Sequence, residues 1–300
     1  MKAFQKYASD GYLVARSAIP QPLVSNLVTA FYDEVKTCME PLLRMSTKKF
    51  EPHHFDAAGF MTEPLLNPHI TRNRKLASFR QAILDLACSG EMLRALHNAT
   101  LWPKHGLYQI MIFEQSTTPP HQDWYFLDTY PPGCMTAAWV ALEDIDPTAT
   151  RFFVVPGSQD FERDFSEDSI FGSEQPRYLD AMTEIFKKQY TDNVVIPDMK
   201  VGDVLFWNSR LIHGSLAGTN PTRSRLSLTA HYIPDGFGFG HRNNPNYLPQ
   251  PHKLVKGRPI SYLDDHIPGP PTMKRLASRI RRFSVRQKNR FFRPTSGSAG

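Results

Sequence analysis

The middle of the chain is a series of short, strand-like runs separated by glycine and proline turns. These runs occupy residues 107–114, 135–142, 151–155, 193–196, 203–207 and 225–233. They are rich in β-branched and aromatic residues, and Pro156-Gly157 and Val201-Gly202-Asp203 mark sharp turns between them. Many short strands with such corners are typical of a jelly roll. We therefore predict a mostly β protein with flanking helices, built on a double-stranded β-helix (a jelly-roll or cupin-like barrel).

The flanking segments have other patterns. Apolar residues at helical spacing predict helices over 22–39 and 78–97, and a helical insert is expected over 176–189. We predict a single domain over residues 1–271. Its parts are a helical N-terminal region (1–100), the barrel core (101–235) and loops that wrap the barrel (236–271).

The positive charge of the chain is concentrated near its C-terminus. Residues 274–293 carry nine basic side chains and no acidic one, and without them the formal net charge falls from +6 to −3. The body therefore gives no reason to expect nucleic-acid binding. The tail, residues 272–300, has three interpretations: a helix on an anionic membrane surface, a contact with RNA or another anionic polymer, or a solvated end.

Neither a membrane span nor a secretory leader is expected. No apolar run reaches the roughly 18 residues that a spanning helix needs, and the segment Met1–Gln5 lacks the apolar core of a signal peptide. Cys38, Cys88 and Cys134 are widely spaced and are expected as reduced thiols. These observations predict a cytoplasmic protein, either a monomer or a dimer.

Two segments that are far apart in the chain supply candidate metal ligands. They are His121-Gln122-Asp123 and His213-Gly214-Ser215. Alternate residues of an extended segment point the same way, so His121 and Asp123 can face one metal while Gln122 faces elsewhere. Two imidazoles and one carboxylate on one face form the ligand set of a mononuclear non-haem iron site with open positions. We predict that His121, Asp123 and His213 bind the metal.

An arginine follows the second histidine by twelve residues. Arg225 begins the strand-like run Arg225-Leu226-Ser227-Leu228, and a guanidinium meets a carboxylate through two parallel hydrogen bonds. It could hold the far carboxylate of a dicarboxylate on the iron, which indicates 2-oxoglutarate. Arg223 is the alternative two residues away. The pair His53-His54 is the alternative source of ligands, but neighbouring strand residues diverge and neither histidine has a carboxylate two positions on.

Together these motifs resemble the phytanoyl-CoA dioxygenase family of Fe(II)/2-oxoglutarate-dependent oxygenases, over roughly residues 5–233. The matching blocks are Phe4–Val14, His121-Gln122-Asp123, Trp139–Asp144, Val155–Ser158, Gly202-Asp203 and His213 through Arg225. The resemblance implies Fe(II), 2-oxoglutarate and O2 as cofactors and co-substrates. It also implies that His121, Asp123 and His213 bind the iron and that Arg225 pairs with the distal carboxylate of 2-oxoglutarate.

Further contacts with the co-substrate follow from the resemblance and from strand position. Ser215 matches a hydroxyl that helps to hold the distal carboxylate, and Trp139 matches a residue that lines the co-substrate pocket. Gln109, and less strongly Thr118, could hydrogen-bond the carboxylate next to the iron. The alternatives are a backbone-capping role for Ser215, plain core packing for Trp139 and an outward position for Gln109.

Substrate contacts are the least constrained part of the site. Trp124, Tyr125 and Phe126 follow the ligand segment and could form an aromatic wall over the substrate, or could pack a lid onto the barrel. Arg151 and His231 are polar groups on predicted barrel strands that could meet a substrate. A small polar metabolite, a sugar-containing molecule and a lipid-like acid all stay open.

The function that the resemblance implies is hydroxylation of a small organic metabolite, with release of succinate and CO2. Halogenation is not expected, because Asp123 keeps the carboxylate that halogenating relatives lack. A second hypothesis is a cupin-like metal-dependent hydrolase or isomerase, which would need no buried arginine opposite the metal. A third is a non-catalytic binding module that uses the basic tail, for which an altered ligand set would be expected.

Overall fold

The computed structural model describes residues 2–162, 175–241, 244–248, 252–255 and 257–261. The predicted basic tail lies outside these residues. Five helices are described: α1 (Lys2–Asp10), α2 (Gln21–Ala30), α3 (Ala77–Ala87), α4 (Gly90–Thr100) and α5 (Gln175–Gln189). Among the described residues, no helix has the length and apolar character that crossing a bilayer requires.

The N-terminal helices differ from the sequence prediction in two places. The helix predicted over 22–39 ends as α2 at Ala30 and continues only as a π-helical turn, Phe31–Val35. The helix predicted over 78–97 is two helices, because Ser89 interrupts it: its hydroxyl accepts a hydrogen bond from the Met92 N–H and caps the start of α4. Periodicity alone does not detect this local cap.

Fifteen short strands are described. They are β1 (Tyr12–Ala15), β2 (Leu42–Leu43), β3 (Phe50–Glu51), β4 (Leu65–Leu66), β5 (His105–Phe113), β6 (Asp128–Tyr130), β7 (Thr136–Ala141), β8 (Arg151–Val154), β9 (Val204–Asn208), β10 (His213–Leu216), β11 (Ser227–Pro234), β12 (Gly238–His241), β13 (Asn244–Leu248), β14 (His252–Val255) and β15 (Arg258–Ser261). The described part of 236–271 thus contains four strands, where the sequence predicted wrapping loops.

Two sheets form the barrel. The larger has the order β1-β9-β7-β11-β5-β15-β14, and β4 also pairs with β5. The smaller consists of β8 and β10, and single bridges extend it on both sides, from His121 to His213 and from Val154 to Val195. The run predicted as a strand at 193–196 is therefore only one bridging residue. The mostly antiparallel sheets and the flanking helices confirm the predicted jelly roll.

Side-chain alternation gives the large sheet two buried faces. On β7, Ala138 and Val140 pack towards the helices, whereas Ala137, Trp139 and Ala141 point into the barrel. Leu205 and Trp207 of β9 share the inner face. Both faces are buried, so these strands are nearly continuous apolar runs, which is why they were visible in the sequence.

The outer face of the small sheet is covered by α5. Tyr178 and Met182 of this helix belong to one buried cluster with Phe153 and Ile212. Neighbouring residues of the small sheet point to opposite faces. His213 follows the outward-facing Ile212 and therefore points inward. The helix therefore shields the back of the sheet that carries the candidate ligands.

A glycine before β9 fixes the approach of the N-terminal segment. Gly202 has φ +83°, and a Cβ built there would lie 2.6 Å from the Ile19 carbonyl oxygen. Gly236 has nearly the same backbone, φ +84°, with no atom within 4 Å. The two positions thus share one conformational demand but differ in the space around them.

We expect Gly202→Ala to reduce the free energy of unfolding more than Gly236→Ala. The Gly236→Ala loss should be about 1 kcal/mol, because it reflects the left-handed backbone alone, and the Gly202→Ala loss should be at least about twice that. Urea titration followed by circular dichroism measures both. Equal losses would show that the Ile19 carbonyl moves aside freely.

Candidate active site

Two backbone hydrogen bonds bring the distant ligand segments together. The His121 N–H donates to the His213 carbonyl oxygen at 2.9 Å, and the His213 N–H donates to the His121 carbonyl oxygen at 3.0 Å. This closely bonded antiparallel pair places the two imidazole rings 4.3 Å apart. Asp123 begins a 3₁₀ turn two residues later, and the turn is anchored by the Trp124 N–H on the Ser209 carbonyl oxygen.

The three candidate ligands converge through defined atoms. Asp123 Oδ1 lies 3.5 Å from His121 Nε2 and 3.6 Å from His213 Nε2. All three side chains are buried, and their possible ligand atoms lie within 4.8 Å of one another. These spacings suit a single metal ion between the three atoms.

The protonation of this set also suits a cation. His121 Nδ1 faces the Pro119 carbonyl oxygen at 2.8 Å, and His213 Nδ1 faces the Leu211 carbonyl oxygen at 2.9 Å. A carbonyl only accepts, so each Nδ1 carries a proton, and each ring turns its Nε2 to Asp123. Burial lowers the pKa of His213 to about 3, so this ring is neutral at pH 7.

Asp123 favours a positive neighbour in this position. Burial by itself would raise the pKa of the carboxyl, but the surrounding His213, His121 and His231 hold that pKa well below its usual value. The carboxyl is therefore ionised at neutral pH, and its charge favours a cation between the three side chains. Two nitrogen lone pairs and one carboxylate are the donor set that Fe(II) accepts, so the residues fit the metal.

Arg225 is a buried charge without an acidic partner among the described residues. It is 2% exposed, its Nη2 donates to the Ser116 carbonyl oxygen at 2.7 Å, and its Nε has no hydrogen-bond partner. Burial lowers the pKa of the guanidinium to about 10, so it stays charged at neutral pH. An uncompensated buried charge costs several kcal/mol, which indicates that this position is built to receive an anion. Arg223, the alternative, is exposed and pairs with Asp146 at 3.3 Å.

Aromatic rings connect the arginine with the ligand set. The Trp139 ring lies 6.0 Å from the Arg225 guanidinium carbon, and the Phe152 ring lies 5.9 Å from Trp139. Phe152 in turn stacks on His213 at 5.6 Å with an interplanar angle of 12°. The buried Trp139 Nε1 has no hydrogen-bond partner and is available to a ligand oxygen.

Two of the other predicted co-substrate residues, Ser215 and Gln109, lie along the same interior, and Thr118 contacts Ser215 through its backbone. Ser215 Oγ accepts from the Thr118 N–H at 2.6 Å, and the Ser215 N–H donates to the Thr118 carbonyl oxygen at 2.9 Å. The hydroxyl thus caps local backbone, and its own proton is still available for another acceptor. Gln109 pairs opposite His231, whose side chain points inward, so Gln109 also lies on the inner face.

The predicted substrate residues separate into two groups. Phe126 and His231 lie near the ligands: the Phe126 ring is 6.1 Å from His121, and His231 Nε2 is 3.5 Å from Asp123 Oδ2. Trp124 and Tyr125 lie in the cluster beneath α5, with the Tyr125 ring 4.6 Å from Tyr178. Phe126 also packs against this cluster, 5.3 Å from the Tyr178 ring, and so lies between the cluster and His121.

The expected aromatic wall is therefore reduced to Phe126, because the 3₁₀ turn directs Trp124 and Tyr125 outward. Trp124 Nε1 donates to Gln122 Oε1 at 3.1 Å, which holds that ring in the outer cluster. Arg151 also lies on the outer face of β8, since it alternates with the inward-facing Phe152.

Two interior residues were not identified from the sequence. Trp207 Nε1 donates to Asp123 Oδ2 at 2.9 Å, and Phe152 lines the path between Trp139 and His213. Period-two alternation could place each on an inner face. Which ligand each one touches depends on strand register and on the approach of the second sheet, and neither is encoded locally.

Fold and site together define a class of protein. A jelly-roll barrel with a buried two-histidine, one-carboxylate set and an unpaired inner arginine is the architecture of non-haem iron oxygenases that use 2-oxoglutarate. A model of the phytanoyl-CoA dioxygenase (PhyH) family matches residues 7–226. The chain therefore belongs to the phytanoyl-CoA dioxygenase family.

Curated relatives agree with this membership. Phytanoyl-CoA dioxygenase 1 of Oryza sativa subsp. japonica is 30% identical over 152 residues, which are 48% of this chain and 50% of that protein. A probable phytanoyl-CoA dioxygenase of Caenorhabditis elegans is 24% identical over 248 residues, 76% of this chain and 73% of that protein. The human peroxisomal phytanoyl-CoA dioxygenase is 28% identical over 122 residues, and the match spans only 33% of its length.

Solved structures share the fold. The epimerase SnoN in complex with Fe3+, alpha ketoglutarate and nogalamycin RO has a TM-score of 0.59 at 17% identity, covering 87% of this chain and 95% of SnoN. The carbocyclase SnoK from nogalamycin biosynthesis has a TM-score of 0.57 at 17% identity, covering 83% of this chain and 93% of SnoK. At these identities the likeness shows the architecture alone.

Replacing the buried arginine should separate stability from co-substrate binding. We expect Arg225→Met to fold with stability similar to the wild type in the absence of ligand, because an apolar side chain removes an unpaired buried charge. With Mn(II) present, 2-oxoglutarate should raise the Tm of the wild type but not of Arg225→Met, since a ligand at 100 times its Kd adds about 2.7 kcal/mol to the folded state.

Arg223→Met is the matched control, because it removes an exposed guanidinium two residues away. Its thermal shift with 2-oxoglutarate should equal that of the wild type. A full shift in Arg225→Met, or a lost shift in Arg223→Met, would reassign the arginine.

Proposed function

We propose that this protein is an Fe(II)- and 2-oxoglutarate-dependent dioxygenase that hydroxylates a small organic metabolite and releases succinate and CO2. One observation carries the proposal: the His121, Asp123 and His213 ligand atoms and the unpaired Arg225 guanidinium line the same interior, joined by inward-facing aromatic rings. Within one cavity, the three ligand residues can hold a cation. Arg225 can bind an anionic group at the far end of a co-substrate.

Each of these residues has a role in that reaction. His121 and His213 would hold the iron through Nε2, and Asp123 would hold it through a carboxylate oxygen. Three protein ligands on one face would leave room for a chelating keto acid. When bound, iron and 2-oxoglutarate supply the oxidising power, as O2 is consumed and the keto acid becomes succinate and CO2.

The barrel wall orients the keto acid. Arg225 binds its distal carboxylate with two directional hydrogen bonds, and the free N–H of Trp139 and the hydroxyl of Ser215 lie on the same inner surface to assist. Gln109, and less directly Thr118, are proposed contacts of the carboxylate next to the iron. The rings of Trp139, Phe152 and Trp207 keep water away from this region, which strengthens the charged contacts.

The outcome of the oxidation rests on the ligand set and on the relatives. Asp123 keeps the carboxylate position, which favours hydroxylation over halogenation. Two proteins of similar fold are an epimerase and a carbocyclase, so the fold alone does not restrict the outcome to hydroxylation. Phe126 is the proposed substrate contact, because its ring lies beside His121, whereas His231 faces Asp123.

The alternative functions explain less. A cupin-like hydrolase or isomerase would use the same ligands but would have no role for the buried, unpaired Arg225. A non-catalytic binding module would have no reason to keep three buried ligands at metal spacing. A cytoplasmic location, a monomeric or dimeric state and an anionic contact for the basic tail stay predictions of the sequence.

Anaerobic addition of Fe(II) and 2-oxoglutarate should give the weak visible charge-transfer band of an iron–keto acid chelate. Under air the protein should then form succinate slowly, even without substrate. His121→Ala should lose both signals, with succinate formation reduced at least about 100-fold, because removal of a ligand should exceed the 10–100-fold effect typical of outer-shell changes.

His54→Ala is the control, since His54 is exposed and lies outside the ligand set. It should retain the band and the succinate. If the wild type gave neither signal with Fe(II), the proposed function would be wrong; wild-type turnover by His121→Ala would overturn only the ligand assignment.

A further inference from the structure

The two oxygens of Asp123 face different partners. Oδ1 points between the imidazoles of His121 and His213, at 3.5 and 3.6 Å. Oδ2 accepts a hydrogen bond from Trp207 Nε1 at 2.9 Å and lies 3.5 Å from His231 Nε2. Oδ1 therefore lies in the proposed metal site, and Oδ2 faces the ring nitrogens of two residues on the large sheet, Trp207 and His231.

Strand register explains why these two rings meet. Trp207 on β9 and His231 on β11 are both paired with Ala137, which lies between them on β7. Ala137 points into the barrel with only a methyl group, so neither ring is displaced by a larger neighbour. Their centroids lie 6.3 Å apart at an interplanar angle of 79°, and both residues are almost fully buried.

His231 has no other described partner that fixes its ring. Both of its ring nitrogens are buried without a hydrogen-bond partner among the described residues. Nε2 lies 3.5 Å from Asp123 Oδ2, so a proton on Nε2 would be attracted to the carboxylate. His231 thus approaches Oδ2 and not Oδ1, and it does not belong to the group of close ligand atoms formed by His121, Asp123 and His213.

We infer that Trp207 and His231 are positioning residues that hold Oδ2 of Asp123, so that only Oδ1 is presented to the metal. This inference rests on the proposed function and adds a feature of its metal site. A carboxylate that bound through both oxygens would occupy a further coordination position, and that position is needed for the keto acid or for oxygen. His231 accordingly is not a fourth ligand.

Mn(II) binding tests the tryptophan without any turnover. Trp207→Phe keeps an aromatic ring but removes the N–H, and we expect its Mn(II) affinity to fall about 10–100-fold, the usual effect of removing a group that orients a ligand. Tyr232→Phe is the control. It removes another buried donor, a hydroxyl next to His231 that bonds the Ala87 carbonyl oxygen on the side of the helices, so its Mn(II) affinity should equal that of the wild type.

The histidine is tested by two substitutions of different chemistry. His231→Leu removes the N–H and should weaken Mn(II) binding, whereas His231→Gln restores a donor and should recover part of the loss. His213→Ala supplies the reference for removal of a true ligand. Isothermal titration calorimetry measures the affinities, and thermal melts without metal confirm that each variant is folded.

Each outcome has a distinct meaning. Wild-type affinity in both Trp207→Phe and His231→Leu would overturn the inference and leave the proposed metal site intact. A loss in His231→Leu as large as in His213→Ala, without recovery in His231→Gln, would overturn it by making His231 a ligand. No Mn(II) binding by the wild-type protein would instead remove the proposed metal site itself.

Discussion

The reciprocal backbone hydrogen bonds between His121 and His213 are the contact on which the site depends. They join two segments that are separated by most of the barrel sequence, and they set the two imidazoles side by side. The carbonyl oxygens of Pro119 and Leu211 then fix each ring by its Nδ1, so that both Nε2 atoms face Asp123. Backbone geometry thus determines the orientation of the ligands before any metal binds.

Around this contact the barrel isolates charges that water would otherwise stabilise. Asp123 and Arg225 are both buried, and neither is paired with the other. Each has a polar neighbour that fixes its direction: the Trp207 indole for Asp123 and the Ser116 carbonyl for Arg225. Buried charges without a full set of opposite charges reduce the stability of the fold. They are retained where a bound ligand supplies the opposite charge. The apolar faces against the helices and α5 compensate for that loss.

The parts of the fold that could be predicted are those with a strong local pattern. The strands β5, β7 and β9 were visible because burial on both faces makes them apolar and β-branched. The break at Ser89 was missed because one capping hydroxyl overrides a helical period. The strands after residue 236 were missed because they depend on distant partners, as in the pairing of Ile260 with Leu107. The outward turn of Trp124 and Tyr125 likewise follows from a local 3₁₀ turn that spacing does not reveal.

The sequence by itself determined the chemistry that the chain carries: an imidazole and a carboxylate at alternate positions, a second imidazole and an arginine on apolar strands. These are local properties, since residue type and period-two spacing need no partner. Only the tertiary structure decided that Arg225 is buried while Arg223 meets solvent, and that Trp207 and His231 share one oxygen of Asp123. Those assignments depend on strand register and on the approach of two sheets, and both are set by packing across the whole barrel.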